Sequence, residues 1–512
     1  MSASEARLAA LAARVDALDA EGLRRRLRSV TPLDATHALV DGERLTLFCS
    51  NDYLGLAHHP DVLAAWRQGA GAGASRLISG DRPAHRALED ALAERFGRPA
   101  TLFNSGYAAN LAVLTTLLGK TSLVASDALN HASIVDGARL SGARRHILAH
   151  ASAQVPTDTD LVVVEGLYSM DGDTPDLSRY PHGPWLVVDE AHAVGCLGPD
   201  GRGVAAAQGV VPDVLIGTLG KAAGAAGAFV VGPPELRELL VSAGRSLVYT
   251  TALPEPVAHA ARVGLSLCDD ARREALAANV ARLRGALVQL GVEALGDAHV
   301  VPVRLPLGDA PPGESVRRTM AAADALRASG FLVPGIRYPT VPRGQERLRV
   351  TVSAAHTPDE LDRLAEALAR VTRAGLARDP RADGPPARVV RRVLRASVAQ
   401  ACAFAADPRN LPRWAAGVAG GVERVDGRWF ADGPLGRVEV RMPPVNDAGI
   451  LDHVVAMPDG TVFDNRLRLL PHPEGCEAVF TLPPVNDADA DAAAVAADLA
   501  ALDRCLAGEE SR

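Results

Sequence analysis

The sequence has few cysteines, no long apolar run and no excess of positive charge. Its six cysteines are scattered through 512 residues without a CxxC pair or a His–Cys cluster. That pattern predicts neither a disulfide framework nor a metal site, and it favours a reducing cytoplasm. No stretch approaches the roughly 18 apolar residues of a membrane span, and Glu5, Arg7 and Arg14 interrupt the apolar run that a signal peptide would need. A formal net charge of −7 gives no reason to expect a nucleic-acid partner.

A nucleotide-binding P-loop is also missing. Gly220 and Lys221 resemble the end of one, but Leu215 stands where its first glycine belongs and Ala222 where Ser or Thr belongs. The tetrad 189–192 spells the Asp-Glu-Ala-His box of helicases. A nucleotide motor without a P-loop has nothing to hold phosphates, so the tetrad predicts some other chemistry.

What the sequence does contain is a set of three short apolar runs that each end in polar residues. The runs cover 161–164, 185–188 and 213–218, and such continuous runs are typical of strands buried on both faces of a parallel sheet. Ligands of these sheets bind outside the carboxyl ends of the strands. Asp189 and Lys221 fall at those ends and are therefore candidate functional residues.

Asp189 and Lys221 together suggest pyridoxal phosphate. This cofactor needs a lysine amine for its Schiff base and a carboxylate that keeps its pyridine nitrogen protonated, so that the ring can stabilise a carbanion. An arbitrary pair of this kind would more commonly be a strand cap and a solvated loop lysine. The glycine-rich surround at 217–224 favours the cofactor site, because close approach of the backbone to a ligand requires residues without a Cβ.

A turn between a strand and a helix supplies a candidate phosphate site. Residues 101–103 read as a strand, and 104–110 read as a turn that opens a helix. Free N–H groups and the helix dipole attract an anion at such a point, so Gly106 and Tyr107 are predicted to bind the cofactor phosphate. An ordinary strand-to-helix turn is the alternative.

Two further residues have open roles. His131 lies on a predicted loop at the same sheet edge, although a single loop histidine is more commonly a surface residue. Arg349 lies in an otherwise apolar strand, where an unpaired cation is costly. It pairs either with a carboxylate of the protein or, as a bidentate fork, with a substrate carboxylate; the sequence leaves these alternatives equal.

An ordered series of motifs runs through the chain from about 23 to 373. The motifs are Asn51–Leu56, Ser75–Gly80 with His85, Ser105–Asn110, His131–Ser133, Glu165–Asp173, Asp189–Gly195, Gly217–Gly224, Tyr249–Thr251 and Arg347–His356. In these motifs the chain closely resembles the α-oxoamine synthase family of fold-type I pyridoxal-phosphate enzymes, in the class II aminotransferase superfamily. The resemblance implies an α/β fold with a mainly parallel seven-stranded sheet. It further implies an N-terminal helix and hairpin arm (1–50), a cofactor-binding major domain (51–260) and a small α/β domain (261–373).

The resemblance assigns a role to each candidate residue. For the cofactor ring it implies a Schiff base at Lys221, a pyridine-nitrogen partner in Asp189, stacking by His131, contact of His192 with the ring hydroxyl, and Ser169 close by. For the cofactor phosphate it implies Gly106, Tyr107, Thr218 and, from the neighbouring subunit of a homodimer, Thr251. For the substrates it implies Arg349 as the carboxylate clamp, Asn51 nearby and Arg24 in acyl recognition.

The family reaction is the decarboxylative condensation of an amino acid with an acyl thioester, in which Lys221 also serves as the base. Ser79–His85 is more similar to the branch that uses L-alanine and a pimeloyl thioester, in biotin synthesis, than to the glycine-using or long-chain branches. The carrier is either coenzyme A or an acyl carrier protein. The alternatives are another α-oxoamine synthase and, from a different class, a non-catalytic protein that binds a hydrophobic ligand.

Beyond 373 the sequence changes character. Residues 374–387 are rich in Gly, Pro, Arg and Asp and predict a linker. Residues 388–512 alternate a strand, a helical stretch, several strands and a final helix at about 488–506, an order that resembles the α+β helix-grip (START-like, polyketide-cyclase) superfamily, which folds around an apolar cavity. The motif Pro-Pro-Val-Asn-Asp-Ala occurs at both 443–448 and 483–488, and a repeated edge turn explains it as well as a binding motif does.

Overall fold

The computed structural model describes residues 3–25, 27–66, 70–305, 312–376, 389–416, 420–425, 428–433, 436–442, 449, 451, 453–456, 462–481 and 488–508. The chain divides into two compact units, Met1–Ala377 and Arg378–Arg512. Most of the expected linker and nearly all of the two repeated motifs lie outside the described residues. Within the described ranges, no helix has the length and apolar character needed to cross a membrane.

The first unit contains twelve α-helices and fourteen strands in the part of the chain that is described. The helices are α1 (Ala3–Ala20), α2 (Pro60–Ala64), α3 (Pro83–Phe96), α4 (Gly106–Leu117), α5 (Ala132–Leu140), α6 (Val204–Ala207), α7 (Pro234–Ala243), α8 (Arg245–Val248), α9 (Glu255–Ser266), α10 (Asp270–Gln289), α11 (Pro312–Ala328) and α12 (Pro358–Leu376). The strands are β1 (Val30–Pro32), β2 (His37–Val40), β3 (Glu43–Leu47), β4 (Ala100–Phe103), β5 (Leu123–Asp127), β6 (Arg144–Leu148), β7 (Leu161–Glu165), β8 (Trp185–Asp189), β9 (Val214–Thr218), β10 (Ala228–Val231), β11 (Val300–Val303), β12 (Phe331–Leu332), β13 (Gly335–Ile336) and β14 (Arg347–Thr351).

The main sheet of the first unit has seven strands in the order β4-β10-β9-β8-β7-β5-β6. The three apolar runs form β7, β8 and β9, which pair in parallel, and only β10 runs antiparallel to its neighbours. The predicted mainly parallel seven-stranded sheet is therefore confirmed.

Alternate residues of this sheet belong to two separate cores. In β7, Val162 and Val164 pack in one cluster, whereas Leu161 and Val163 pack in the other. Side chains of a strand point alternately to opposite faces, so helices cover both faces of the sheet. This double burial is why the strands read as unbroken apolar runs.

The N-terminal arm differs in part from its predicted form. The helical spacing predicts one helix over 5–28, but α1 ends at Ala20 because Gly22 adopts a positive φ of 67°. The predicted hairpin is confirmed: β2 and β3 pair antiparallel, and Asp41 and Gly42 form its tight turn with φ of 54° and 88°.

A smaller sheet, in the order β11-β14-β13, carries the strand with the candidate arginine. Leu348 and Val350 of β14 pack into the hydrophobic core, so Arg347 and Arg349 share the opposite face of the strand. This alternation aims both guanidinium groups in the same direction.

The second unit contains seven strands and three α-helices among its described residues. They are β15 (Val389–Leu394), α13 (Val398–Ala405), α14 (Leu411–Trp414), β16 (Val422–Val425), β17 (Arg428–Gly433), β18 (Gly436–Arg441), β19 (His453–Ala456), β20 (Val462–His472), β21 (Gly475–Thr481) and α15 (Ala488–Leu506). The strands form antiparallel pairs in the order β15-β21-β20-β19-β18-β17-β16. Leu499 and Leu502 of α15 belong to the core of this unit.

Candidate active site

The carboxyl ends of β7, β8 and β9 place acids and a lysine at one edge of the main sheet. Glu165 ends β7 and lies opposite Asp189, which ends β8. Lys221 follows β9, which pairs with β8. Because parallel strands end at the same edge, the three side chains converge there, as expected for a ligand site outside the strand ends.

A hydrogen-bond chain links Asp189 to His131. The Asn110 side-chain amide donates to the Asp189 carboxylate at 2.7 Å and to the Ser133 hydroxyl at 3.1 Å. The Ser133 hydroxyl lies 2.7 Å from Nδ1 of His131. His131 also caps α5, since its Nδ1 accepts the Ser133 backbone N–H, and its side chain is exposed. Asn110 thus fixes the carboxylate and the imidazole relative to each other.

The amine of Lys221 has a lower pKa than that of an ordinary lysine. Burial lowers its pKa to about 8, against the opposing effect of the carboxylates of Asp189 and Glu165, and the cation of Arg349 lowers it further. A lysine with such a pKa carries a substantial unprotonated fraction near neutral pH, as a nucleophile or base requires.

Glu165 is a buried acid to which no site role was given from the sequence. Its carboxyl group accepts the backbone N–H of His131 at 2.5 Å. Burial, with the charge of Asp189, raises the pKa of Glu165 well above its usual range. The same signal that identified Asp189, an acid at the end of an apolar run, was present at Glu165 and could have identified it.

His192 is held by a residue from the segment that follows the N-terminal arm. The phenol oxygen of Tyr53 lies 2.6 Å from Nδ1 of His192, and the Tyr53 O–H donates to the Asn51 side-chain oxygen at 3.0 Å. Burial, together with the nearby Lys221 and Arg349 cations, lowers the pKa of His192 well below its usual value. His192 is therefore neutral at physiological pH.

The sequence left two partners open for Arg349, a carboxylate of the protein or a carboxylate of a substrate, and the contacts of its neighbour Arg347 bear on this choice. Arg347 forms the ion pair with a carboxylate, at 2.5 Å from Asp171. Arg349 instead donates to the Ser169 carbonyl at 2.6 Å and to the Asn51 side-chain oxygen at 3.3 and 3.4 Å. Among the described residues Arg349 has no carboxylate partner, so its charge is available to an anionic ligand.

The candidate phosphate residues lie where the sequence predicted a helix start. Ser105 caps α4 by accepting the Ala108 N–H at 3.2 Å, and space beside Gly106 is open. The Tyr107 hydroxyl donates to Asp136. The Thr218 hydroxyl donates to the Gly227 carbonyl at 3.1 Å, so its proton is already engaged within the loop.

The remaining predicted residues lie in separate places. Ser169 meets Arg349 through its carbonyl. Thr251 is exposed, and its carbonyl accepts from the Asn104 side chain at 2.7 Å, next to the start of α4. Arg24 lies on the N-terminal arm, where its carbonyl accepts from Arg337, and its side chain is 3.8 Å from Asp19.

The glycines of 217–224 serve packing as well as ligand approach. A Cβ on Gly224 would lie 2.4 Å from the backbone nitrogen of Ala57, and Gly224 has a φ of 63°. A Cβ on Gly217 would meet the Phe229 ring at 2.2 Å, whereas a Cβ on Gly220 would make only ordinary contacts, the nearest at 3.7 Å to the Thr218 hydroxyl. The inference from glycine content to ligand approach is therefore correct only in part.

Together these residues fit pyridoxal phosphate. They supply an amine of lowered pKa at Lys221, a carboxylate fixed by Asn110, an exposed imidazole at His131, and the open start of α4 for an anion. Each of these groups meets a chemical requirement of that cofactor.

Comparison with known proteins points the same way. The family model "Aminotransferase class I and II" matches residues 43–368. An 8-amino-7-oxononanoate synthase of Methylococcus capsulatus is 46% identical over 387 residues, covering 70% of this chain and 96% of that protein; one of Burkholderia thailandensis is 45% identical over 380 residues, covering 69% and 95%.

Solved structures agree with the sequence relatives. A serine palmitoyltransferase of S. paucimobilis with a bound PLP–myriocin aldimine is 30% identical with a TM-score of 0.66, covering 73% of this chain and 99% of that chain. An 8-amino-7-oxononanoate synthase of Francisella tularensis is 25% identical with a TM-score of 0.57, covering 65% and 99%.

Proposed function

We infer the reaction from one premise: the chain belongs to the aminotransferase class I and II family and, within it, to the 8-amino-7-oxononanoate synthases. It is a pyridoxal-phosphate-dependent acyltransferase. We propose that it condenses L-alanine with a pimeloyl thioester of coenzyme A or an acyl carrier protein, in the cytoplasm, giving 8-amino-7-oxononanoate, carbon dioxide and free thiol for biotin. The observation that carries the proposal is the convergence of Lys221 and Asp189 with Arg349, whose guanidinium lacks a carboxylate partner among the described residues.

Residues at the strand ends would hold the cofactor. When bound, pyridoxal phosphate supplies an electron sink that makes the Cα–H of an amino acid acidic. Asp189 would keep a proton on its ring nitrogen, His131 would lie over its ring, and His192, with Ser169 close by, would contact its ring hydroxyl. For the phosphate we propose the start of α4 at Gly106 and Tyr107, with Thr218; because the Thr218 proton is engaged by Gly227, Thr218 would serve mainly by shaping the loop.

Lys221 would act twice in the reaction, first as the nucleophile that attaches the cofactor and then as the base. With its pKa lowered to about 8, its amine can accept the Cα proton and return it after carbon dioxide has left. The buried surroundings that lower this pKa also restrict water, which would otherwise compete for the proton.

Arg349 would bind the carboxylate of the amino acid. Its two Nη donors both face the side-chain oxygen of Asn51, a neutral acceptor that an incoming carboxylate could displace with a gain in charge complementarity. Asn51 would then lie beside the bound substrate. Arg24, on the arm next to Arg337, is our candidate for acyl recognition.

We also propose a homodimer that shares its active sites. Large apolar side chains are exposed close together, at Leu77 (52%), Ile78 (80%) and Tyr249 (75%), and Ala252 hydrogen-bonds through its backbone to Ala74 in the same region. Contiguous exposed apolar surface of this kind favours a protein interface. Thr251 of the partner subunit would reach the phosphate; analytical ultracentrifugation of the full chain tests the dimer.

One experiment tests the reaction. The purified protein, loaded with pyridoxal phosphate, is given L-alanine, glycine or L-serine and then pimeloyl-CoA, while cofactor absorbance, thiol release and product mass are followed. Alanine-dependent release of thiol with a product of the mass of 8-amino-7-oxononanoate is expected, and Lys221→Ala should abolish it. Turnover with another amino acid would assign the chain the activity of another α-oxoamine synthase. The absence of any thiol release would refute the reaction.

For the second unit we propose binding of an apolar ligand. Its strand order and its long terminal helix on the sheet support the helix-grip expectation, and the indole N–H of Trp414, 5% exposed, has no acceptor within the described residues. Such an unsatisfied buried donor would gain from a ligand carbonyl. Fatty-acyl probes should change tryptophan fluorescence of the full chain, and Trp414→Phe should remove that change; equal changes in both proteins would contradict the assignment.

A further inference from the structure

Tyr53 lies between two groups that the proposed reaction uses separately. On one side its phenol oxygen is 2.6 Å from Nδ1 of His192. On the other its O–H donates to Asn51, whose side-chain oxygen also faces the guanidinium of Arg349 at 3.3 and 3.4 Å. A continuous chain of hydrogen bonds therefore joins the arginine that would hold a carboxylate to the histidine that would contact the cofactor.

The donors and acceptors along this chain of hydrogen bonds allow one consistent placement of the protons. The Asn51 oxygen is turned toward the Arg349 donors, so it can only accept from Tyr53. Tyr53 has a single hydroxyl proton, which goes to Asn51. Its oxygen must then accept from His192, which places the proton of this neutral imidazole on Nδ1 and leaves the lone pair on Nε2.

The position of Tyr53 is fixed by its surroundings. Its side chain is fully buried, its ring contacts that of His299 with centroids 4.2 Å apart, and its backbone carbonyl accepts from Ala354 at 2.8 Å. A rigid phenol in this place transmits a change in hydrogen bonding at one end of the hydrogen-bond chain to its other end.

We propose that Tyr53 is a positioning residue that couples occupation of the carboxylate site at Arg349 to the hydrogen bonding of His192 at the cofactor. The inference rests on the proposed function, because it takes Arg349 as the carboxylate site and His192 as a cofactor contact. When a carboxylate takes the Arg349 donors, Asn51 becomes a stronger acceptor for Tyr53. Tyr53 then accepts more strongly from His192, and the basicity of Nε2 rises. Binding the substrate would in this way adjust the cofactor before any bond changes.

A carboxylate that cannot react provides the probe. Propionate has the carbon skeleton and carboxylate of alanine but no amine, so it can occupy the Arg349 site without displacing Lys221. We would titrate the absorbance of the cofactor-loaded full chain against pH, with and without saturating propionate. The charged or titratable groups around His192 and Tyr53 that also enter such a titration are Lys221, Arg349, His299, His131 and Cys196.

The wild-type protein should show a shift of the absorbance midpoint on adding propionate, and Tyr53→Phe should lose this shift. Propionate should still compete with alanine in the variant, since Arg349 is intact. The matched control is Tyr180→Phe, which removes the hydroxyl of another buried tyrosine, one with no hydrogen-bond partner among the described residues; it should keep the full shift. Asn51→Leu interrupts the chain of hydrogen bonds at its other end and should lose the shift as well. This second variant tests the coupling if Tyr53→Phe does not fold.

An equal shift in wild type and Tyr53→Phe would overturn the coupling, because a through-space charge effect does not need the phenol. No shift in an active wild-type protein would overturn it too. Either result leaves the proposed function standing. If the wild-type protein neither binds the cofactor nor turns over alanine, the proposed function fails, and this inference fails with it.

Discussion

The pKa of Lys221 makes a quantitative prediction about how the cofactor-free protein takes up pyridoxal phosphate. The unprotonated amine is the form that attacks the cofactor aldehyde, so the rate of attachment follows its fraction. With a pKa of about 8, roughly a quarter of the amine is unprotonated at pH 7.5, against roughly one part in a thousand for an ordinary lysine. Burial should therefore accelerate attachment about 200-fold through this fraction alone.

The assay follows attachment in the cofactor-free protein by borohydride trapping and intact mass. The rate constant at each pH is divided by that for Nα-acetyl-lysine, which removes the titration of the cofactor itself. Because the pKa of Lys221 lies below that of the free lysine, this ratio should be level below about pH 8, where both amines gain in parallel, and should fall at higher pH, where only the free amine continues to gain. Lys221→Arg is the control and should give no attachment.

Asp189→Asn provides a second test of what sets the pKa of Lys221. The Asp189 carboxylate raises the pKa of Lys221 against the lowering by burial, so its removal should move the midpoint of attachment to lower pH. A ratio that stays level up to pH 10, or a midpoint that moves upward in Asp189→Asn, would refute the electrostatic account of this lysine.

Three further predictions concern other residues. Arg349→Lys keeps the charge but loses the planar fork, so KM for alanine should rise at least about tenfold in steady-state assays; an unchanged KM would exclude a carboxylate clamp. His150 lies between Asp127 at 3.1 Å and Asp173 at 2.7 Å, which raise its pKa to about 10 from 6.5. Since the folded value is the higher one, this stabilisation is complete below about pH 6.5 and is lost as pH rises through 10. His150→Gln should therefore cost about 2 kcal/mol of unfolding free energy at pH 6, after allowance for solvent screening of this partly exposed ring, and little at pH 10; a cost independent of pH would contradict this. Gly224→Ala should lower stability by at least about 1–3 kcal/mol in denaturant titrations, since alanine is strained at its φ of 63° and meets backbone; wild-type stability would show that the loop can rearrange.

The sequence predicted those features that depend on repeating local patterns. Strands buried on both faces must be apolar throughout, so β7, β8 and β9 could be read directly, and the residues at their ends followed from the geometry of parallel sheets. The short β10 was not predicted, because Ala228–Val231 emerges from a run of Ala and Gly that carries little strand signal. The end of α1 was missed because apolar spacing continues past Gly22, where the backbone turns.

Side-chain partners across long distances in the chain could not be predicted in the same way. Arg347 and Arg349 alternate on the same strand face, and nothing local tells which one meets Asp171. Likewise Asn110 is one polar residue in an apolar helix, which marks it as unusual, but its bond to Asp189 depends on how α4 packs against the sheet. Such contacts are set by tertiary packing rather than by propensity.

The charge balance of the site explains why burial of so many polar groups is tolerable there. Burial next to cations lowers the pKa of His192 and lowers that of His299 to about 3, so both rings are neutral, and the raised pKa of Glu165 reduces the charged fraction of that acid. Lys221 and Arg349 then face Asp189 with little other compensation among the described residues. A site with this excess of positive charge favours two anions, the phosphate of the cofactor and the carboxylate of the amino acid. Asn110 and Tyr53 contribute no charge to that balance, yet through their hydrogen bonds Asn110 fixes where Asp189 points and Tyr53 fixes where His192 points.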